Sequence, residues 1–344
     1  MSASLVGSEM CIRDRYKSIL RPLLFHIDAE EIHNKIVKSL QLYRYLSPVR
    51  MIVRSSCHTE AAGLKWKNLN FKNRVGLSAG FDKAANCFDE LSDLGFGFIE
   101  VGTVTPKEVT GNPCPRIFRL PKEQALISRT GFNNPGKAAF LQNLRRKKSG
   151  KYILGININT NHPDNPEIAM TEILDLYRTF NDYADYFTIN WGSIAPEILG
   201  QVLSALLKYK QESNKPVFLK LPADLTLEKV DDIIRFAIQY NVDGFIACGP
   251  SQDRSLLVKS TQTEINNIGA GGISGLPVLQ KSVKIVRYLS EHAPKDMLII
   301  GAGGIITPSD AKDMLNAGAH LVQIYSAFIY EGPYVVKRIA KACK

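Results

Sequence analysis

Residues 297–305 read MLIIGAGGI, and residues 321–329 read LVQIYSAFI. Each is a short run of apolar and β-branched residues that gives way to glycine, tyrosine or serine just before a helical pattern. The same rhythm runs backwards through the chain: RVGLSAG (74–80), GFIEVG (97–102), YILGINI (152–158), YFTINW (186–191), PVFLKLP (216–222) and GFIACG (244–249). Eight such runs after Gly63, alternating with helical stretches, predict an α/β fold of the (β/α)8 TIM-barrel kind. A doubly wound open sheet is the alternative, but it would normally carry a G-x-G-x-x-G turn after its first strand, and none is present. The intervals 104–131 and 249–275 are longer than a barrel loop requires. Long loops after barrel strands usually build the active site.

In a barrel the residues closing each run share one face, so they are read together. They are Ser78, Ala79, Gly80 and Lys83, then Thr103, then Asn157 and Asn159, then Asn190 and Ser193. Lys220 follows, then Cys248 and Gly249, then Gly301, Gly303 and Gly304, and finally Tyr325 and Ser326. Asn, Gly and Ser in Asn190-Trp191-Gly192-Ser193 are also ordinary turn and capping residues, and that reading stays open. A lysine inside VFLKLP is harder to explain as a turn, because a buried ammonium needs a partner. The glycines of GAGGI precede a helix that Thr307, Pro308 and Ser309 can start, which offers free N–H groups to a phosphate where barrels place phosphates. A phosphorylated cofactor over a ring of Asn, Thr and Lys suggests flavin mononucleotide, with Lys220 near N1 and O2 of the reduced ring. A lysine paired to a carboxylate for structural reasons is the competing reading.

The chain has 344 residues, 45% hydrophobic and 22% charged, enough to bury a substantial core. No stretch approaches the roughly 18 to 20 consecutive apolar residues of a membrane span, and no secretory pattern opens the chain, so a cytoplasmic location is expected. The cysteines lack C-x-x-C spacing and the histidines lack H-E-x-x-H spacing, so neither a disulfide framework nor a metal site is indicated. The net charge of +10 comes from basic residues spread along the chain. That pattern suits anionic ligands or lipids and gives no nucleic-acid motif.

Residues 1–15 match no element and are read as a non-native leader. Residues 16–60 carry two apolar stripes at helical spacing, one of Ile19, Leu20, Leu23 and Leu24 and one of Ile32, Ile36, Val37 and Leu40. Two short amphipathic helices follow, packed on the chain itself or lying in a membrane interface. Residues 61–344 form the barrel.

The motifs GLSAGFDKAANCFDEL, GFGFIEVGTVTP, PRIFRL, GFNN, LGININ, GGISG, IIGAGGI and LVQIYSAFIYEGP together resemble class 2, quinone-linked dihydroorotate dehydrogenase. The resemblance extends to the N-terminal FHIDAEEIHNKI, by which that class docks on membranes and admits quinone. It implies an FMN-dependent oxidoreductase peripheral to the cytoplasmic face of a membrane, with quinone as acceptor. By position, Ala79, Gly80, Lys83, Thr103, Asn157, Asn190, Lys220 and Cys248 fall around the flavin ring, Cys248 standing where threonine is usual. Gly275, Gly304, Tyr325 and Ser326 fall on the phosphate side. Lys83, Ser128, Arg129, Gly131, Phe132 and Asn190 fall on the substrate, and Ser193 on the catalytic base that takes the C5 proton.

The substrate side departs from the family pattern. Of four asparagines that pair with the orotate ring only Asn190 remains; Ser128, Ala195 and Gly249 occupy the other positions. The lid that follows the serine is shortened, and Trp191 replaces a smaller residue. Three readings follow: an unusual dihydroorotate dehydrogenase, a flavin oxidoreductase with another substrate, and a flavin-binding homologue without turnover.

Overall fold

The computed structural model describes residues 15–59, 61–146 and 152–343; the expected leader, Arg15 apart, lies outside them, as does Cys11. Eight parallel strands close into a barrel: β1 (Val75–Leu77), β2 (Phe98–Val104), β3 (Ile153–Ile158), β4 (Tyr186–Asn190), β5 (Val217–Leu221), β6 (Gly244–Ala247), β7 (Leu298–Ala302) and β8 (Leu321–Ile324). Each pairs with its sequence neighbour and β8 returns to β1, so every one of the eight expected runs supplies a barrel strand. Helices on the outside cover the faces that Ile99, Val101, Phe187 and Ile189 turn outward, the period-two alternation of a strand.

The inward faces fill the barrel from below with large side chains. Phe71, Phe98, Tyr186, Phe218, Leu298 and Leu321 form one buried cluster there. Two glycines make this possible. A Cβ on Gly76 would come 2.3 Å from the Phe98 ring, and one on Gly155 would come 2.1 Å from Tyr186. Phe71 comes from a hairpin, Leu64–Trp66 with Leu69–Phe71, and meets Phe98 edge-on at 5.4 Å. The hairpin thus closes the amino end of the barrel, and polar chemistry is left to the other end.

At that carboxyl end the two long intervals fold together. Residues Ile117–Leu120 and Ala125–Ser128 from the first pair with each other, and Gly272–Gly275 from the second adds a third antiparallel strand. A small sheet therefore spans both loops.

The N-terminal part holds α1 (Ala29–Tyr43) and α2 (Ser47–Cys57) after a shorter helical stretch from Tyr16 to Phe25. The periodicity of residues 16–60 showed two helices; α2 is additional, with Pro48 in its first turn. The two stripes have different fates. Val37 and Leu40 pack against the barrel core, whereas Ile19, Leu20 and Leu23 are exposed, as are Leu42, Tyr45, Leu46, Met51 and Ile52.

Arginines lock these helices to the barrel. Arg50, nearly buried, donates to Asp93 at 2.7 Å and Asp89 at 3.0 Å, and Arg44 donates to Glu90 at 2.6 Å. Removing one partner of a buried pair strands the other charge. Arg50→Ala should therefore cost roughly 3–5 kcal/mol, read as a lower urea midpoint; an unchanged midpoint would show that Arg54 alone neutralises Asp93.

Candidate functional site

The polar residues that close the strands converge on one cavity of about 260 Å³ at the carboxyl end of the barrel. Ala79, Gly80, Lys83, Thr103, Asn157, Asn190, Lys220, Cys248, Gly275, Gly304, Tyr325 and Ser326 all border it, together with Ser128 and Phe132. The convergence follows from register. Asn157 lies beside Thr188 and Asn190 beside Lys220 across neighbouring parallel strands, so their inward-pointing side chains meet in one layer.

Hydrogen bonds fix that layer. Thr103 Oγ1 donates to Asn157 Oδ1 at 2.8 Å, and Asn190 Nδ2 donates to the same oxygen at 3.0 Å. Lys220 Nζ donates to Ser78 Oγ at 2.9 Å and to Glu100 Oε1 at 3.2 Å. The two readings of Lys220 are thus compatible: it is paired to a buried carboxylate and also borders the cavity. Cys248, behind the ring of amides, is buried, and its thiol is pushed up to about 12 by loss of water, so it is a neutral wall.

The opposite end of the cavity is built by backbone turns. Gly275, Gly303 and Gly304 all have φ between +85° and +99°. A Cβ on Gly304 would lie 2.4 Å from Leu279 Cα, so this turn packs against the start of the helix Leu279–His292 as closely as a bare backbone permits. Ser274 and Ser326 place their hydroxyls 3.3 Å apart beside these turns. The helix after GAGGI does not contribute as expected. Asp310 accepts from Ile306 N at 2.9 Å and Thr307 N at 2.7 Å, and Thr307 accepts in return, so this N-terminus caps itself. Any phosphate here falls to the glycine turns and the serines.

The structure also shows where the other expected residues lie. Ser193 is near the ring but outside the cavity lining; its hydroxyl donates to Asn190 O at 2.7 Å and to Asn159 Oδ1 at 3.4 Å. Arg129 is turned away: it donates to Ile268 O at 2.6 Å, Ala270 O at 2.8 Å and Pro115 O at 3.2 Å, and its guanidinium lies over Phe118. It ties the two long loops together. Gly131 is a turn residue at φ +67° beside Asn112. Trp191 packs edge-on against Phe236 at 5.0 Å, so its bulk is taken up there.

Four residues of the site escaped the sequence reading in their present roles: Glu100, Gln323, Asn133 and Ser274. Glu100 and Gln323 carried a signal, since each is a polar residue inside an apolar strand as Lys220 is. Gln323 Oε1 is buried without a partner and its residue borders the cavity, an acceptor suited to a bound group with N–H donors. Ser274 comes from the second long loop and Asn133 from just beyond the first, where local pattern says little.

Comparison with known proteins agrees with this geometry. The dihydroorotate dehydrogenase family model matches residues 62–344. The chain belongs to the dihydroorotate dehydrogenase family. Among its relatives, the dihydroorotate dehydrogenase (quinone) of Christiangramia forsetii is 40% identical over 337 residues, covering 94% of this chain and 97% of that one. The protein of the same name from Proteus mirabilis is 37% identical over 339 residues, covering 94% and 98%. The crystal structure of the Eimeria tenella DHODH in complex with ferulenol superposes with a TM-score of 0.77 at 27% identity, covering 93% of each chain. Family membership fits the barrel, the polar ring and the N-terminal helices alike.

A second cavity adjoins the first. It lies between α1, through Glu30, His33 and Val37, and the barrel, and shares Gly80, Lys83, Ile117, Asn133 and Tyr325 with the main one. Burial holds the His33 imidazole down to about 4, aided by Lys83, so it is neutral at pH 7. Lys83 donates to Asn133 Oδ1, and burial lowers its ammonium to about 8, with Glu30 opposing the shift and Arg116 adding to it. A ¹³C-methylated sample should therefore show one lysine titrating near 8, absent from Lys83→Met, rather than near the usual 10.5. A spectrum in which all lysines titrate near the usual value would contradict this.

Proposed function

We propose that the protein is an FMN-dependent dihydroorotate dehydrogenase that passes electrons to a quinone. The observation that carries this reading is the shared cavity, in which a polar ring around a buried ammonium faces a cradle of glycine turns and serine hydroxyls. Asn157, Asn190 and Thr103 suit the pyrimidine edge of the flavin, and Gly275, Gly304, Tyr325 and Ser326 suit its phosphate. When bound, FMN supplies the hydride acceptor at N5.

The chain's own residues do the rest. Lys220 opposes negative charge developing on the ring. Protonated Lys83 pairs with the substrate carboxylate, an attraction present below about 8 and lost as the ammonium deprotonates. Ser193 is the candidate base for the C5 proton; its hydroxyl, outside the cavity lining, donates to Asn190 O and Asn159 Oδ1 and would have to turn toward the substrate to act. Ser128 and Gly249 on the cavity wall, with Ala195 at the start of the following helix, supply fewer ring contacts than three amides would. At roughly 1–3 kcal/mol for each polar partner left unmet, dihydroorotate binds weakly.

The test is anaerobic stopped flow of the FMN-loaded protein with dihydroorotate. Bleaching is expected at high substrate, with a half-saturation that rises above about pH 8. Ser193→Ala should slow it about 10²- to 10⁴-fold with FMN still bound. A protein that takes up no FMN, or a flavin that dihydroorotate never bleaches, refutes the reading.

Residues 16–60 are proposed as the segment that meets the membrane and gives quinone its path, through the cavity beside α1, toward the flavin. Among the described residues no helix is long and apolar enough to cross a membrane, so the contact is peripheral. Exposed Ile19, Leu20, Leu23, Met51 and Ile52, interspersed with Lys and Arg, suit the headgroup boundary of an anionic leaflet. The chain should bind anionic vesicles and be released by salt. Deleting residues 1–60 should abolish binding; equal binding by the shortened chain would refute it.

A further inference from the structure

Glu100 sits midway along β2, among apolar neighbours, and is fully buried. Its Oε1 accepts from Lys220 Nζ and from Asn157 Nδ2, both at 3.2 Å. Its Oε2 accepts from Gln323 Nε2 at 2.8 Å and from Tyr186 OH at 3.4 Å. Every partner donates, and an ionised carboxylate offers about four acceptor sites. Loss of water pushes the Tyr186 phenol well above its ordinary range, with Glu100 adding to the shift, so that partner stays a donor. Lys220, Asn157 and Gln323 all border the cavity; Glu100 lies beneath them and does not.

We propose that Glu100 is a positioning residue for the flavin: it holds Lys220 and Asn157 under the ring and sets how much positive charge Lys220 presents there. The inference rests on the flavin reading above. A lysine on a flexible four-carbon stem does not hold one position unaided. Ser78 fixes one side of the ammonium and Glu100 the other. The carboxylate also offsets part of the ammonium's field, so the pair stabilises an anionic reduced ring less than a lone lysine would. A buried ion pair is a poor source of stability compared with apolar packing, which argues for a functional reason to keep this one.

Glu100→Gln keeps the shape and removes the charge. In the FMN-loaded protein it should raise the flavin midpoint potential and tighten sulfite, which adds at N5 and leaves negative charge on the N1–O2 side. A tenfold change is expected for sulfite, and the same factor in the two-electron couple is about 30 mV. Lys220→Met should move both readouts the other way. Adding Glu100→Gln to Lys220→Met should change little, because a buried carboxyl without its cation takes up a proton. Should Glu100→Gln fail to fold, Tyr186→Phe removes one donor to the carboxylate, leaves its negative charge less neutralised, and should lower the potential and weaken sulfite, each by roughly twofold in the equilibrium constant. FMN uptake with unmoved potential and sulfite affinity overturns this inference alone, as does an equal shift in the Lys220→Met background. A wild-type chain that takes up no FMN overturns the flavin reading and this inference with it.

Discussion

The interior of the barrel has to accommodate one buried ion pair, Glu100 with Lys220, and much of the surrounding arrangement follows from that. Below it the barrel is closed by rings, with Phe71, Phe98 and Phe218 keeping water from the amino end. Above it polar side chains and glycines border the cavity, together with apolar residues such as Leu126, Phe132 and Ile305. The pair marks the boundary between the two regimes, and it is tolerable because Tyr186, Gln323, Asn157 and Ser78 complete its hydrogen bonds. Charges taken out of water need this degree of satisfaction, or one of them is neutralised.

Arginines perform a different task on the outside. Arg116 grips Glu30 of α1, with its Nη2 at 2.7 Å from Oε1, and also donates to the carbonyls of Thr110 and Asn112. Arg119 reaches the carbonyls of Leu24 and Ile27 while its guanidinium lies over Phe25. Arg129 joins the two long loops. A planar fork with five donors suits carbonyls presented by irregular backbone. The helices that carry the exposed apolar residues are thereby fastened to the loop that walls the cavity, which places the second cavity directly between them.

The face proposed to take the substrate is where this chain departs from the pattern that the sequence resemblance implies. Ala195 starts the helix Pro196–Ser213 almost directly after Ser193, leaving no length for a lid. Trp191 is occupied with Phe236 and does not substitute for one. In the proposed function Lys83 supplies a cation where amides are missing, so recognition there would lean on charge more than on paired ring contacts. The side proposed to hold the flavin, by contrast, carries amides, hydroxyls and glycines.

The sequence by itself determined the barrel, because eight apolar runs with a period of two, each closed by polar residues, have few other ways to bury their faces. It also determined which strand ends carry chemistry, since parallel strands of one barrel must end on one face. Lys220 was legible as an anomaly; Glu100 was the same anomaly in GFIEVG, and its pairing with Lys220 depended on a contact between residues 120 positions apart. Only the tertiary structure decided that one apolar stripe of residues 16–60 faces the barrel and the other faces outward, because periodicity shows a stripe without showing what covers it. The same holds for Arg129 and Ser193. The resemblance put Arg129 on the substrate and Ser193 on the catalytic base, but where a side chain points is set by what the neighbouring loop presents, and for Arg129 that was three backbone carbonyls.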